Sequence, residues 1–304
     1  FSMIVYYKRM ANAIMLLGAV LGGVLGLIYF HGQILNNPDK TTAFVWALWI
    51  FAGVIAGRLL AAMLANKRLQ AVQKQLYTDA DPAGFLQNFE AVNARVPKNL
   101  AEYANGQHWV SFAKEALGDF EGAWDAVKDL KPDELRIHAL TSSALIVNQK
   151  ANLQILRGDL EAASFQIEDL KKLKLVSEKR AARLAENLAQ QIRVHEARIA
   201  AAEGRADADI PYLEEEIQYA GNVIYRKEMQ LTLAEYALRT GDPEKARAYL
   251  HDIIADRKGL YTEKRADELL AHPEAYTKYT KTILDAQGEK IGEEDSDGFV
   301  VIRE

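Results

Sequence analysis

Six histidines, His31, His108, His138, His195, His251 and His272, are the first side chains to test for chemistry. No two stand at the spacing that sets a pair of imidazoles on one helix face for zinc. No HExxH run and no G-x-S-x-G elbow is present. The chain holds no cysteine, which removes thiolate zinc sites, a cysteine nucleophile and disulfides together. Asp79 and Asp81 stand just before Pro82 and read as helix-start residues rather than a catalytic carboxylate pair. The glycines of LLGAVLGGVLG lie inside an apolar run, where they cannot cradle a phosphate. One stretch does carry metal-ligand spacing. Residues 293–304, EEDSDGFVVIRE, set Glu293, Asp295 and Asp297 two apart, Gly298 at the turn, Val300 at the apolar position and Glu304 at position twelve, as in an EF-hand calcium loop. Position one is Glu rather than Asp, and Gly288 and Gly292 interrupt the entering helix. The reading preferred is a solvated acidic tail whose FVVI segment adds to a partner or folds back. No catalytic, cofactor or metal residue is assigned.

The elements that would position any site divide sharply along the chain. Overall, 304 residues with 49% apolar and 26% charged side chains suit one or two globular domains. The 37 basic residues against 42 acidic ones, net charge −5, supply no basic field for nucleic acid. Residues 11–30 (ANAIMLLGAVLGGVLGLIYF) carry no charge, and twenty helical residues rise about 30 Å, the thickness of a hydrocarbon core. Residues 42–65 are equally apolar apart from Arg58, which can snorkel to the nearer interface. The short polar link HGQILNNPDKT makes the two spans an antiparallel hairpin. Two alternatives are buried soluble helices and, for the first segment, a signal peptide; no small-x-small cleavage site follows Phe30. Lys8 and Arg9 before the first span, and Arg58, Lys67, Arg68 and Lys74 at the end of the second, outweigh Lys40 in the link. That bias places both termini and the soluble part in the cytoplasm, with two spans in the cell membrane.

Small residues predict how the hairpin closes. Gly18, Gly22 and Gly26 recur every four residues on one face of the first span, and Gly53 and Gly57 do so on the second. Such faces let backbones approach closely in lipid, between the two spans or between copies of the chain. With no acidic residue inside either span, the hairpin reads as an anchor and not a transport path.

From residue 67 to about 285 the pattern is helical, and strand-like runs are confined to the last residues. Within it a short phrase repeats: GDFEGA at 118–123, GDLEAA at 158–163 and GDPEKA at 241–246. Each position has a physical reason. Gly118, Gly158 and Gly241 can take the left-handed conformation that ends a helix. Asp119, Asp159 and Asp242 then cap the next helix, and Pro243 fills its first position. Ala123, Ala163 and Ala246 fall one turn in, where a small side chain lets two helices pack closely. A divergent unit is expected between the second and third copies, ending its first helix at Gly204, with Asp209 where the alanine would be.

These residues resemble the tetratricopeptide-repeat family over about residues 99–257, with Pro132 loosely matching the end of the first unit. The units are longer than the family's ~34 residues, and Trp109 is shifted from the family's first-helix aromatic. The hairpin followed by LYTDADPAGFLQNFEAV is also similar to uncharacterised membrane proteins of Gram-positive bacteria. The expectation is an all-α protein: a two-helix transmembrane anchor (1–66), a tetratricopeptide-like α-solenoid (67–285) and an acidic tail (286–304). The resemblance implies a concave groove lined by the first helix of each pair, with Asn148, Asn152, Arg183, Asn187 and Tyr236 as candidates for holding a peptide. The expected function is a non-enzymatic, membrane-anchored scaffold or adaptor for proteins or peptides at the cytoplasmic face, with no cofactor. Two alternatives are an accessory subunit of a transport or secretion complex and a peptide-responsive sensor. Assembly into a membrane complex or homo-oligomer fits the same features.

Overall fold

The computed structural model describes residues 6–36, 40–131, 140–205, 209–275, 280–284, 290–295 and 300–302. Two compact units emerge, Phe1–Lys74 with Val92–Val96, and Gln75–Ala91 with Pro97–Glu304.

The first unit is built on α1 (Lys8–Asn36) and on α2, whose full extent is Lys40–Tyr77. Segments Lys8–Tyr29 and Phe44–Tyr77 are long and apolar enough to cross a bilayer. Only 17% and 11% of their apolar windows are buried within the structure. Leu17, Phe51 and Met63 are more than half exposed, an apolar exterior suited to lipid rather than water. The glycine faces meet each other. A Cβ on Gly53 would lie 2.2 Å from the Gly18 carbonyl oxygen, and one on Gly22 would lie 2.4 Å from that of Trp49. Gly57 faces Ile14, Met15 and Gly18 in the same way. Gly26 instead makes room for Trp46, whose indole Nε1 donates to the Gly23 carbonyl at 3.2 Å.

The second unit opens with α3 (Pro82–Asn93), where Phe85 stacks on Phe89 and Phe89 on Trp109, at ring separations of 5.1 and 5.5 Å. Four helical hairpins follow: α4 (Ala101–Ala116) with α5 (Phe120–Val127), α6 (Leu140–Leu156) with α7 (Leu160–Glu178), α8 (Ala182–Ala202) with α9 (Ile210–Tyr219), and α10 (Val223–Arg239) with α11 (Pro243–Ala255). A single helix, α12 (Tyr261–Ala271), closes the series.

One turn chemistry ends the first helix of each hairpin. Gly118, Gly158, Gly204 and Gly241 have φ of 87°, 78°, 67° and 80°. In each, the glycine amide and the next amide reach back to two carbonyls of the helix, as Gly118 to Glu115 at 2.8 Å and Asp119 to Lys114 at 2.9 Å. This double closure satisfies carbonyls the helix end would otherwise leave open. Asp119, Asp159 and Asp242 then accept from the amides of Gly122, Ala162 and Lys245 at 2.9, 3.0 and 3.0 Å. The divergent unit therefore exists as a hairpin, with one change. Asp209 heads α9 without a capping bond and pairs with Arg193 at 2.7 Å instead. Ala123, Ala163 and Ala246 are fully buried, each in an apolar cluster or helix contact beside Val127, Ile167 and Leu250. Pro132 lies outside the described residues.

First helices pack on one another in order: α4 on α6, α6 on α8, α8 on α10 and α10 on α12. Helix α12 then touches α4, so the series returns to its start. Tyr261, at the head of α12, meets Phe120 edge-on at 5.1 Å. Its Cβ would be 3.1 Å from a Cβ on Gly118, so that glycine both ends α4 and leaves room for the closing tyrosine.

The helical expectation needs two corrections at the C-terminal end. Strands β1 (Thr280–Leu284), β2 (Lys290–Asp295) and β3 (Val300–Ile302) form an antiparallel sheet in that order, so a boundary at 285 would split it. Glu293 lies opposite both Thr282 and Val301, on a paired strand rather than in a calcium loop. Asp297, Gly298 and Glu304 lie outside the described residues.

Candidate functional site

Where first helices face one another, the interior is polar. Glu115 of α4, Gln149 and Asn152 of α6, His195 and Arg198 of α8 and Glu228 of α10 are all buried. Helix periodicity places them there: Gln149 and Asn152 are three apart, as are His195 and Arg198, so each pair shares a face. The hydrophobic residues of the same helices turn outward to the second helices, as Leu153 does to Ala123 and Val127 of α5.

The polar groups are linked across hairpins. Gln149 Nε2 and Asn152 Nδ2 donate to the two Glu115 carboxyl oxygens at 2.6 and 2.7 Å. Arg198 donates to Asn152 Oδ1, and His195 Nε2 bonds Asn148 Oδ1 at 2.9 Å. The Glu115 and Glu228 carboxyls are hydrogen-bonded to each other. Two carboxylates cannot bond without a proton between them. Burial drives both carboxyls above the ordinary range, and the Glu228 charge pushes Glu115 further, while Arg198 works to keep Glu228 ionised. Both shifts run upward, so the pair holds its shared proton more tightly than free carboxyls would. Burial also lowers His108 to about 4, and burial together with Arg198 lowers His195 to about 3, so both imidazoles are neutral at pH 7.

A recess of about 410 Å³ opens onto this network. Tyr77, Phe112, Leu145 and Leu188 line it on the apolar side; Asn148, Asn152, His195, Arg198 and Glu228 line it on the polar side. Several buried atoms among its walls have no hydrogen-bond partner: Arg198 Nε, Glu228 Oε1, His195 Nδ1, His108 Nδ1 and the Tyr225 hydroxyl. Unmet donors and acceptors in a buried site are costly unless something fills them. A second, smaller space of about 30 Å³ is lined in part by Arg198, Glu228, Tyr236 and Tyr261.

Of the five residues picked for the groove, Asn148, Asn152 and Asn187 line the recess. Tyr236 borders the smaller space, and Arg183 is exposed on the first turn of α8. Sequence reasoning passed over Glu115, Arg198 and Glu228. One signal was present. The position three before the turn glycine is Ile155, Ala201 and Leu238 in the other hairpins, and Glu115 breaks that apolar rule.

A clasp next to the ring closure reinforces it. Lys227 and Glu263 pair at 2.5 Å with side chains 3% exposed, and Lys227 also donates to the Asp256 carbonyl. Glu263 accepts in addition from the amides of Lys258, Gly259 and Leu260 at 2.8, 2.8 and 3.1 Å. No family model, no curated protein and no solved structure matches this chain, so its site is read from its own geometry.

Proposed function

We propose that the chain is a membrane-anchored helical-repeat adaptor, tetratricopeptide-like in its hairpins, whose cytoplasmic domain receives a partner in the recess between first helices. The observation that carries this reading is the recess itself, with hydrogen-bonding amides at Asn148, Asn152 and Asn187 beside apolar walls. Amide side chains both donate and accept, which suits peptide groups. The lysine and arginine bias at the ends of the two apolar helices supports the cytoplasmic orientation. Glycine faces spent on each other within the hairpin leave less reason to assign them to a channel protein or a second copy.

A photo-crosslinking residue placed at Asn187 in the full-length protein in cells tests this. The expected result is a discrete adduct at Asn187 and none at Asp252 on the exposed face of α11. Equal labelling at both positions, or none at Asn187, overturns the adaptor reading.

A further inference from the structure

The recess is lined by a buried guanidinium and a buried carboxyl, each with an unmet hydrogen-bonding atom. Arg198 is 2% exposed, and its Nε donor has no partner. Glu228 is equally buried, and its Oε1 acceptor has no partner. Both line the same cavity. A buried guanidinium and carboxylate that each keep an unmet position are poorly compensated as they stand. Water in the recess would meet the hydrogen bonds but not the charges. A ligand carrying a single charge would match one group and leave the other facing its own sign. A molecule with an anionic and a cationic group on neighbouring atoms matches both.

Size and surroundings narrow the class. A volume of about 410 Å³ holds one small molecule or the end of a partner chain, not several residues of an extended one. Tyr77, Phe112, Leu145 and Leu188 also line the recess and can take an apolar or aromatic substituent. His195 and His108 also line the recess, and each has a buried ring nitrogen with no partner.

We infer that the recess binds one small zwitterion of the α-amino-acid class, with its carboxylate on Arg198, its ammonium on Glu228 and its side chain against Tyr77 and Phe112. The inference rests on the adaptor reading only in taking the recess as the binding site. It changes the occupant from a peptide segment to a free molecule whose two ends are both uncapped.

Titration calorimetry on the full-length protein in detergent tests it with free leucine, phenylalanine and tyrosine, their N-acetyl forms, their amides and an uncapped tripeptide. At least one free amino acid binds, and removing either charge weakens binding at least tenfold. Glu228→Gln, with its fold checked by circular dichroism, weakens the free amino acid at least tenfold and the N-acetyl form by less than threefold. Should that variant fail to fold, the capped series on the unaltered protein decides alone. Capped and free forms binding alike, or no free amino acid binding, overturns the inference. If the tripeptide binds where amino acids do not, the zwitterion falls and the adaptor reading stands. If an amino acid binds and Asn187 captures nothing, the reverse holds.

Discussion

Replacing the capping aspartate Asp159 with alanine isolates the chemistry that defines the repeat. Asp159 accepts from the Ala162 amide at 3.0 Å, and the Gly158 and Asp159 amides close the preceding helix at 3.0 and 2.9 Å. The substitution removes the first bond and leaves the backbone closure in place. Losing an aspartate cap costs about 1 kcal/mol, which in a domain of this size lowers Tm by about 2–4 °C. Asp119 and Asp242 make the same bond on separate hairpins, so each alanine variant should match it and the triple variant should lose about 3 kcal/mol. Asp209 is the control within the same protein. It stands at the head of α9 but caps nothing, and its pair with Arg193 joins side chains 40% and 58% exposed. Its loss should cost under about 0.5 kcal/mol. Urea unfolding of the full-length protein in detergent, followed by far-ultraviolet circular dichroism, measures the series while the membrane helices stay folded. If Asp209→Ala destabilises as much as Asp159→Ala, the turn phrase does not work through capping.

Gly53→Leu should drive α1 and α2 about 2 Å apart, since even a Cβ there would lie 2.2 Å from the Gly18 carbonyl; spin labels on cysteines introduced at Leu17 and Ile55 read the change, and an unaltered distance contradicts the packing. His195, lowered to about 3 against 6.5, binds fewer protons in the folded chain below pH 6.5, so its contribution to stability is lost as pH falls. The unfolding free energy of the native protein should therefore drop by about 2 kcal/mol relative to His195→Gln between pH 6.5 and 5, and a pH-independent gap would count against burial of the neutral ring. Lys227→Met strands the buried Glu263 charge and should cost about 3 kcal/mol in the same urea assay. Adding Glu263→Gln should restore at least ~1 kcal/mol, and a double variant no better than the single one would refute the pairing.

What could be read from sequence was what local physics determines. A glycine with positive φ and an aspartate cap act within six residues, so GDFEGA, GDLEAA and GDPEKA announced their turns. Gly204 was legible for the same reason, although Asp209 follows it by a longer link. Helix periodicity also put Asn148, Asn152 and Asn187 on the face that borders the recess. Arg183 stands exposed on the first turn of α8, outside the recess lining, because a shared face does not say how far along the helix that face is covered. The charged centre was hidden because its members come from three hairpins. Glu115, Arg198 and Glu228 each look like the solvated charge of an amphipathic helix, and only their assembly buries them. Strands β1 to β3 are three to six residues long, too short for alternation to outweigh a helical context.

Closure of the ring is the feature with the largest consequence for function. A tetratricopeptide-like series left open would present its first helices as a groove, and a groove selects by the spacing of contacts along an extended chain. Here α12 meets α4, with Tyr261 seated over Gly118 and against Phe120. The concave face then shrinks to a recess of about 410 Å³, and residues that would have been solvated become a buried network. Selection in such a space depends on charge and shape at a few atoms. Arg198 and Glu228 therefore matter more to specificity than the asparagines that first marked the face, because ionisable groups buried with unmet positions are costlier to leave uncompensated than an amide. An occupant that neutralises both would also bind the hairpins carrying α8 and α10 to the α4 end of the ring through Glu115. That gives a ligand a direct means of stabilising the closed form.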